Sequence, residues 1–481
     1  MVSRMAPLCA SLSLWVLTSH RATTIPNDGL IRYRALGNQE RVLITGAKAL
    51  SEVLVTKNYD FIKPPTFRWG IGRILGIGIL LAEGDEHKRQ RKNLMPAFAF
   101  RHVKDLYPVF WDKSREVVRA MTEKVRADAA ASGEKDSANP TAVMEVGDWA
   151  SRVTLDIIGV AGLGRDFGAI KDPNNHLSRT YQDLFRPNRQ ARILNLLTLV
   201  LPGWLVAKIP VKRNGDVNEA AATIRSVCRD LISNKREKLA RKELHDLDIL
   251  SVAMESGGFT DDDLVNQMMT FLAAGHETTA SAMQWAVYLL CLHPEVQTRL
   301  REEVRGRLPS VVSQEDATAL DVDHMPYLNA VCNEVLRYYP PVPMTLRVAA
   351  VNTTITGQPV PQGTTIALCP WAVNRDPALW GEDADRFNPE RWLREGGATA
   401  GSGGAVSNYA LLTFLHGPRS CIGQAFAKAE FACLLAAWVG RFEFKLRDKE
   451  EYDERNMAIK GVITARPSKG LWVHAKEVEG W

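Results

Sequence analysis

Cys421 stands in the run TFLHGPRSCIGQAFAKAE, Thr413 to Glu430, between Gly417-Pro418 and Gly423 and just ahead of a helix-forming segment. A cysteine at a helix N-terminus meets the positive end of the helix dipole and backbone N–H groups that lack partners. Both favour the thiolate. Glycines on either side let a bulky planar group approach the backbone. The chain has 7 cysteines and no CxxC pair, which argues against structural zinc, against a disulfide scaffold and for a reducing compartment. One thiolate is a poor zinc site but suits the axial position of a haem iron. A buried structural thiol is the better reading for the other cysteines.

Three more groups of residues could do chemistry. AAGHETTA, Ala273 to Ala280, places Glu277 and Thr278 side by side in an apolar helical run. Gly275 inside that run costs about 1 kcal/mol against alanine, so a bare backbone is expected to serve a purpose there. Read plainly, Glu277 and Thr278 are a solvated helix face. Glu334 and Arg337 are i and i+3 and share a helix face, where an exposed pair would contribute little. His87-Lys88-Arg89-Gln90-Arg91-Lys92 is a basic helix start, and a solvated face accounts for about half of it.

These residues need long helices to hold them. Periodicity predicts helices over Asp105–Asp128, Asp148–Gly159, Asp216–Lys242, Thr260–Leu292 and Tyr327–Tyr339, and one after Cys421. In Thr260–Leu292 the threonine caps, Asp261, Asp262 and Asp263 suit the dipole, and His293-Pro294 closes the segment. At about 1.5 Å per residue it crosses the molecule. Short strands are expected between Gly29 and Leu54 and over Thr345–Leu368, a mobile loop over Gly396–Ser407, and a last hairpin over Ile459–Val473. The expectation is a mostly α fold with minor β. One domain should occupy 29–481, after a 1–28 segment holding a short or truncated membrane anchor and lead-in.

With 46% hydrophobic and 24% charged residues, the 481-residue chain is globular and not disordered. A net charge of +5 is small for this length, so charge by itself argues neither for nor against nucleic acid. The uncharged stretch between Arg4 and His20 is shorter than the roughly 20 apolar residues of a bilayer span, and serines dilute it. It is read as a weak anchor. The apolar stretch from Ile193 to Ala207 is broken by Pro202-Gly203 and packs in the core or dips into a membrane surface.

The segment FLHGPRSCIG, Phe414 to Gly423, matches at every fixed position the haem-binding signature FxxGxRxCxG of the cytochrome P-450 family. AAGHETTA resembles that family's oxygen-activation motif, Glu334 and Arg337 match ExxR, and FNPERW, Phe387 to Trp392, is similar to the PERF segment with Trp392 for phenylalanine. The four occur in the family's order, and the resemblance covers the chain after Gly29.

The resemblance implies the P-450 fold around haem b, with Cys421 as axial ligand of the iron. It implies Phe414 as shield of the thiolate, Gly423 as part of the binding loop, and Arg419, Arg91 and Arg347 as propionate partners. His87 stands where the family usually has tryptophan, which leaves its role open. Gly275 would give O₂ room, and Thr278 with Glu277 would relay protons to the reacting oxygen. Glu334, Arg337 and Arg391 would form a buried structural triad. Ala274, Val342, Met344 and Ile463 would line the substrate pocket. Lys88, Arg89 and Lys92 would face an acidic redox partner.

The function so implied is mono-oxygenation of a hydrophobic substrate, a natural product such as a terpenoid, polyketide or lipid. No dinucleotide or flavin motif is present, so electrons from NADPH would arrive through a separate cytochrome P-450 reductase, with cytochrome b5 as a second candidate donor. The setting implied is fungal secondary metabolism at the endoplasmic reticulum membrane, with a cytosolic catalytic domain and no nucleic acid. The alternatives are a haem-thiolate isomerase or dehydratase, and a non-enzymatic haem-binding protein.

Overall fold

The computed structural model describes residues 25–481 except 36–37, 132–139, 186–189, 191–192, 195–196, 198–202, 210, 242, 244–245, 394–400 and 462, and only the backbone of 181–185, 203, 204 and 207. In chain order, the elements that matter here are β1 (Leu30–Arg34), β2 (Glu40–Ile44), β3 (Phe61–Ile62), α1 (Gly84–Leu94), α2 (Tyr107–Ala131), β4 (Thr141–Glu145), α3 (Val146–Ile157) and α4 (Asp261–Leu292). They continue with α5 (Pro326–Tyr338), β5 (Thr345–Ala349), β6 (Thr353–Ile355), β7 (Gln358–Val360), β8 (Thr365–Leu368), α6 (Gln424–Arg441), β9 (Phe442–Leu446), β10 (Ile459–Lys460), β11 (Arg466–Pro467) and β12 (Trp472–Glu477). Helices dominate, as the periodicity predicts.

α4 is the axis of the molecule. It begins in a capping box: Thr260 Oγ1 accepts from Asp263 N–H at 3.1 Å, and Asp263 Oδ2 accepts from Thr260 N–H at 3.2 Å. α4 is buried through most of its length and packs on α3, on α6 and on the helix Lys212–Ala240. The last of these begins four residues earlier than its periodicity suggests and ends at Ala240. α5 opens on Pro326 and ends before Pro340, where the proline ring disfavours a further helical turn.

The β component is split. A five-stranded sheet runs β1-β2-β8-β5-β3, with β2 and β8 parallel and the other pairs antiparallel. β4, β12 and β9 form a second sheet. The expected hairpin over Ile459–Val473 is shorter than its sequence suggests: only β10 and β11 pair, Ile459 with Pro467 and Lys460 with Arg466. Trp472 and Val473 belong to β12, which lies between β4 and β9. Its alternately buried residues fit a strand with one face on the core.

The expected anchor within 1–28 lies outside the described residues up to residue 24, as does most of Ile193–Ala207. Of that second stretch, Gly203–Lys208 is helical, and Ile193 and Leu205 are exposed. Among the described residues no helix is long and apolar enough to cross a membrane.

Candidate functional site

Residues 414–423 form a tight loop ahead of α6. Cys421 N–H donates to the Phe414 carbonyl at 2.8 Å and closes it. Leu415 takes φ 56° and Gly417 φ 74°, both left-handed. A β-carbon on Gly417 would lie 2.1 Å from the Leu54 carbonyl oxygen, so only glycine fits there. Leu415 has no such excuse, and left-handed backbone at a branched residue is strain of the kind that collects at functional sites. Cys421 opens into a cavity deep in the protein. Burial pushes its thiol up, while the Gly423 N–H and the Arg91 guanidinium pull the other way. The remaining described cysteines are buried, and none of them lines that cavity.

One side of the cavity is cationic. Arg347 on β5 is 3% exposed, and burial first, then Arg419, lowers it to about 10. Arg419 is ion-paired with Glu83 and donates to the Phe61 carbonyl at 3.0 Å, but among the described residues its buried Nε has no hydrogen-bond partner. Lys63, which the sequence did not single out, also lines the cavity. Its backbone N–H donates to Glu83 Oε1 at 2.9 Å, but among the described residues its ammonium makes no ion pair. Burial and then Arg347 pull that ammonium down to about 7. Three cations thus share one carboxylate in a buried space, an arrangement that calls for further anions.

α1 supplies His87 and Arg91 to the same wall. His87 is buried, with Nδ1 3.2 Å from the Tyr59 hydroxyl, and burial and then Arg419 lower it to about 4, so it is neutral at neutral pH. Arg91 donates to the Ser420 carbonyl at 2.8 Å and so braces the residue beside Cys421.

α4 forms the opposite wall through Ala274, Gly275, Thr278 and Thr279. A β-carbon on Gly275 would press on the Ile158 side chain at 3.0 Å, a packing reason for mid-helix glycine beside the bare backbone it offers the cavity. Thr278 Oγ1 donates to the Ala274 carbonyl at 2.8 Å, which directs its lone pairs to the cavity. Glu277 is not among the lining residues. Its carboxylate lies 3.6 Å from Arg466 Nη1 and 3.4 Å from Thr464 Oγ1, beside the β10–β11 turn. Val342 lines the cavity, whereas Met344 and Ile463 do not. Phe98, Ile79 and Leu80 from the N-terminal half do, and only the fold could reveal them.

Glu334, Arg337 and Arg391 meet beside this site. Glu334 is fully buried; Oε1 accepts from Arg337 Nη2 at 2.7 Å, Arg391 Nε at 3.1 Å and Asn388 N–H at 2.8 Å, and Oε2 from Arg337 Nε at 2.8 Å and Trp392 Nε1 at 2.9 Å. Arg337 also donates to the carbonyls of Asn374, Ala384 and Arg386. Trp392, in place of phenylalanine, adds a donor that phenylalanine lacks.

The basic segment is less basic than its sequence suggests. Lys88 pairs with Asp85 at 2.8 Å, and Arg89 with Glu86 at 2.8 Å and Asp263 at 3.4 Å. Lys92 is exposed and makes no ion pair among the described residues.

A thiol open to a deep cavity, a guanidinium with a free buried donor and an ammonium without an anion fit haem: a metal that takes thiolate, in a macrocycle carrying two carboxylates. The model of the family described as Cytochrome P450 matches residues 29–472. The chain is 50% identical over 480 residues to the cytochrome P450 monooxygenase sphH of Aspergillus fumigatus, covering 98% of this chain and 86% of that protein. It is 46% identical to the cytochrome P450 monooxygenase ALT8 of Alternaria alternata, covering 94% and 84%, and 44% identical to the cytochrome P450 monooxygenase buaD of Petromyces alliaceus, covering 94% and 83%.

Proposed function

The chain belongs to the cytochrome P450 family, and from that premise we propose that it is a haem-thiolate mono-oxygenase that oxidises a hydrophobic natural product with electrons passed from NADPH by a separate reductase. One observation carries the reading: Cys421 and Thr278 line the same buried cavity, with Arg347, Arg419 and Lys63 at its edge. When bound, the haem supplies reductive activation and cleavage of O₂. Everything else falls to the chain's own residues.

Cys421 would hold the iron, and the Gly423 N–H and Arg91 favour its thiolate. Phe414 covers it from the loop side. Arg347 and Arg419 would hold the propionates, with Lys63 beside them; planar guanidinium suits carboxylate. Thr278 rests with its hydroxyl hydrogen on the Ala274 carbonyl, and rotation about Cβ–Oγ1 would turn that proton toward the reacting oxygen, to be replaced through water. Glu277, tethered by Arg466, acts from the neighbouring helix face and reaches Thr278 through water. Ala274, Val342 and Phe98 orient an apolar substrate and exclude water around it.

The finer parts of the proposal are fungal secondary metabolism, suggested by the fungal relatives, and a place at the endoplasmic reticulum membrane. The exposed Phe67 and Trp69 of the helix Pro65–Leu75, with Leu205 near its end of the molecule, support a membrane-facing patch. A library of hydrophobic compounds titrated against the haem spin state identifies a ligand. That ligand is then turned over with reductase, NADPH and ¹⁸O₂. One labelled oxygen in the product is expected; a product formed without label overturns the mono-oxygenase reading.

A further inference from the structure

The stretch between the helix Pro65–Leu75 and α1 puts Ile79 and Leu80 on the wall of the cavity. A connection of this kind usually runs over the surface and leaves its backbone groups to water. Here two buried glutamines take those groups instead. The Ile79 N–H donates to Gln267 Oε1 at 2.9 Å, and Gln267 Nε2 donates to Gln90 Oε1 at 2.9 Å. Gln90 Nε2 donates in turn to the Ile77 carbonyl at 3.1 Å and to Glu86 Oε1 at 2.6 Å. Gln267 belongs to α4 and Gln90 to α1, and each is 1% exposed.

The ends of this chain of bonds fix its direction. A backbone N–H can only donate and a carbonyl oxygen can only accept, so each amide has one orientation that satisfies it. The bonds start at Ile79 and return to Ile77, so two helices hold residues 77–79 at both ends. Gly78, between them, lies hard against α4: a β-carbon there would be 2.4 Å from Thr270 Oγ1 and 2.7 Å from the Asn266 carbonyl oxygen. The segment can neither lift nor slide without leaving a buried donor or acceptor unpaired. Methionines would fill the same space, so what the two amides add is the grip on the backbone of the wall.

We propose that Gln267 and Gln90 are positioning residues for substrate selection: they clamp Ile79 and Leu80 into a fixed apolar wall, so that the cavity takes rigid hydrophobic molecules that fit beside it and turns away bulkier ones. This rests on the reading of the cavity as the site of haem and substrate. Neither glutamine lines the cavity, and both act through the backbone that carries Ile79.

Hydrogen exchange of the wild-type protein, resolved to single amides, is the first test and needs no turnover. The Ile79 amide should be as protected as the helical amides of α4; exchange at the rate of an exposed loop amide overturns the proposal. The second test is azole binding to the haem-loaded protein, followed by the Soret shift. Imidazole is small enough to leave the wall in place, whereas the three aryl rings of clotrimazole must displace it. In Gln267→Met and in Gln90→Met, which keep the side-chain length, imidazole affinity should hold and the clotrimazole Kd should fall about tenfold relative to it. Tenfold is about 1.4 kcal/mol, the size of one buried hydrogen bond that no longer has to be broken. Both amides belong to one clamp, so the double variant should change the ratio no further than either single one. Gln284→Met removes another buried amide of α4, one that donates to the Ala280 carbonyl and does not line the cavity, and should leave the ratio as it is. An unchanged ratio in the clamp variants, effects that add in the double variant, or the same effect in Gln284→Met overturns the proposal. If the cavity takes no haem, the azoles give no Soret shift, which overturns the reading of the site, while the exchange result still judges the clamp.

Discussion

Glu334→Ala removes the acceptor of five hydrogen bonds from the buried centre under α5. Arg391 keeps Asp383 at 2.8 Å as a counter-charge. Arg337 does not: among the described residues it keeps three carbonyl oxygens but no anion, at 0% exposure. Breaking a buried pair in this way costs about 3–5 kcal/mol, and the stranded Trp392 and Asn388 N–H groups add to it at about 1–3 kcal/mol each, less than additively. Net stabilities are about 5–15 kcal/mol, so the variant should lose about a fifth or more of its margin. Lys88→Ala is the contrast. It opens the pair with Asp85, where Lys88 is 57% exposed and solvent screens the charges, so stability should be nearly unchanged. The assay is urea unfolding followed by tryptophan fluorescence, to which buried Trp392 contributes, together with the yield of haem-loaded protein. Glu334→Ala should fold with little cofactor, and its midpoint should fall far below that of Lys88→Ala. Equal midpoints, with normal haem content, would refute the buried-charge argument.

Three further expectations concern the cavity and the surface. Thr278→Ala removes a hydroxyl and slightly raises helix propensity, so CO spectra and ligand binding should persist while product per NADPH falls and peroxide rises; an unchanged ratio removes Thr278 from the mechanism. Lys63 is lowered to about 7 in the cofactor-free protein. The unfolded chain therefore binds more protons between pH 7 and the ordinary lysine value near about 10.4, and stability rises with pH across that window. The urea midpoint of the cofactor-free protein should climb from pH 7 to 9 and Lys63→Met should flatten the climb; the same slope in both would place Lys63 in contact with water. Charge reversal at Lys92 should slow electron transfer from the reductase more than reversal at Lys88 or Arg89, whose charges are already paired, and salt should shrink the effect. Equal, salt-insensitive rates would move the docking face elsewhere.

The Cys421 loop was legible because its chemistry is local. Gly417 must be glycine for a backbone reason, Phe414 receives the Cys421 N–H, and α6 begins three residues after Cys421. α4 was legible too, since cap, charges and closing proline lie within one segment. What stayed hidden depends on distant segments. Lys63, Glu83 and Phe61 reach Arg419 across more than 300 residues of chain. The run from His87 to Lys92 looked like a cationic patch because sequence does not show that Asp263, from α4, approaches Arg89. The last hairpin is shorter than its sequence suggests because the alternation of Trp472–Glu477 states that a strand exists, not which strands flank it.

The central claim is that Cys421 holds the haem iron as thiolate. The reduced carbon monoxide spectrum tests it most directly, recorded for the wild type, Cys421→Ala, and alanine variants of Cys228, Cys291, Cys332 and Cys369. These four thiols are buried in the packed protein and do not line the cavity, so they cannot reach the iron. The strongly red-shifted Soret band of thiolate ligation should appear in the wild type and in those four variants and vanish in Cys421→Ala. A band that survives in Cys421→Ala, or is missing from the haem-loaded wild type, contradicts the account.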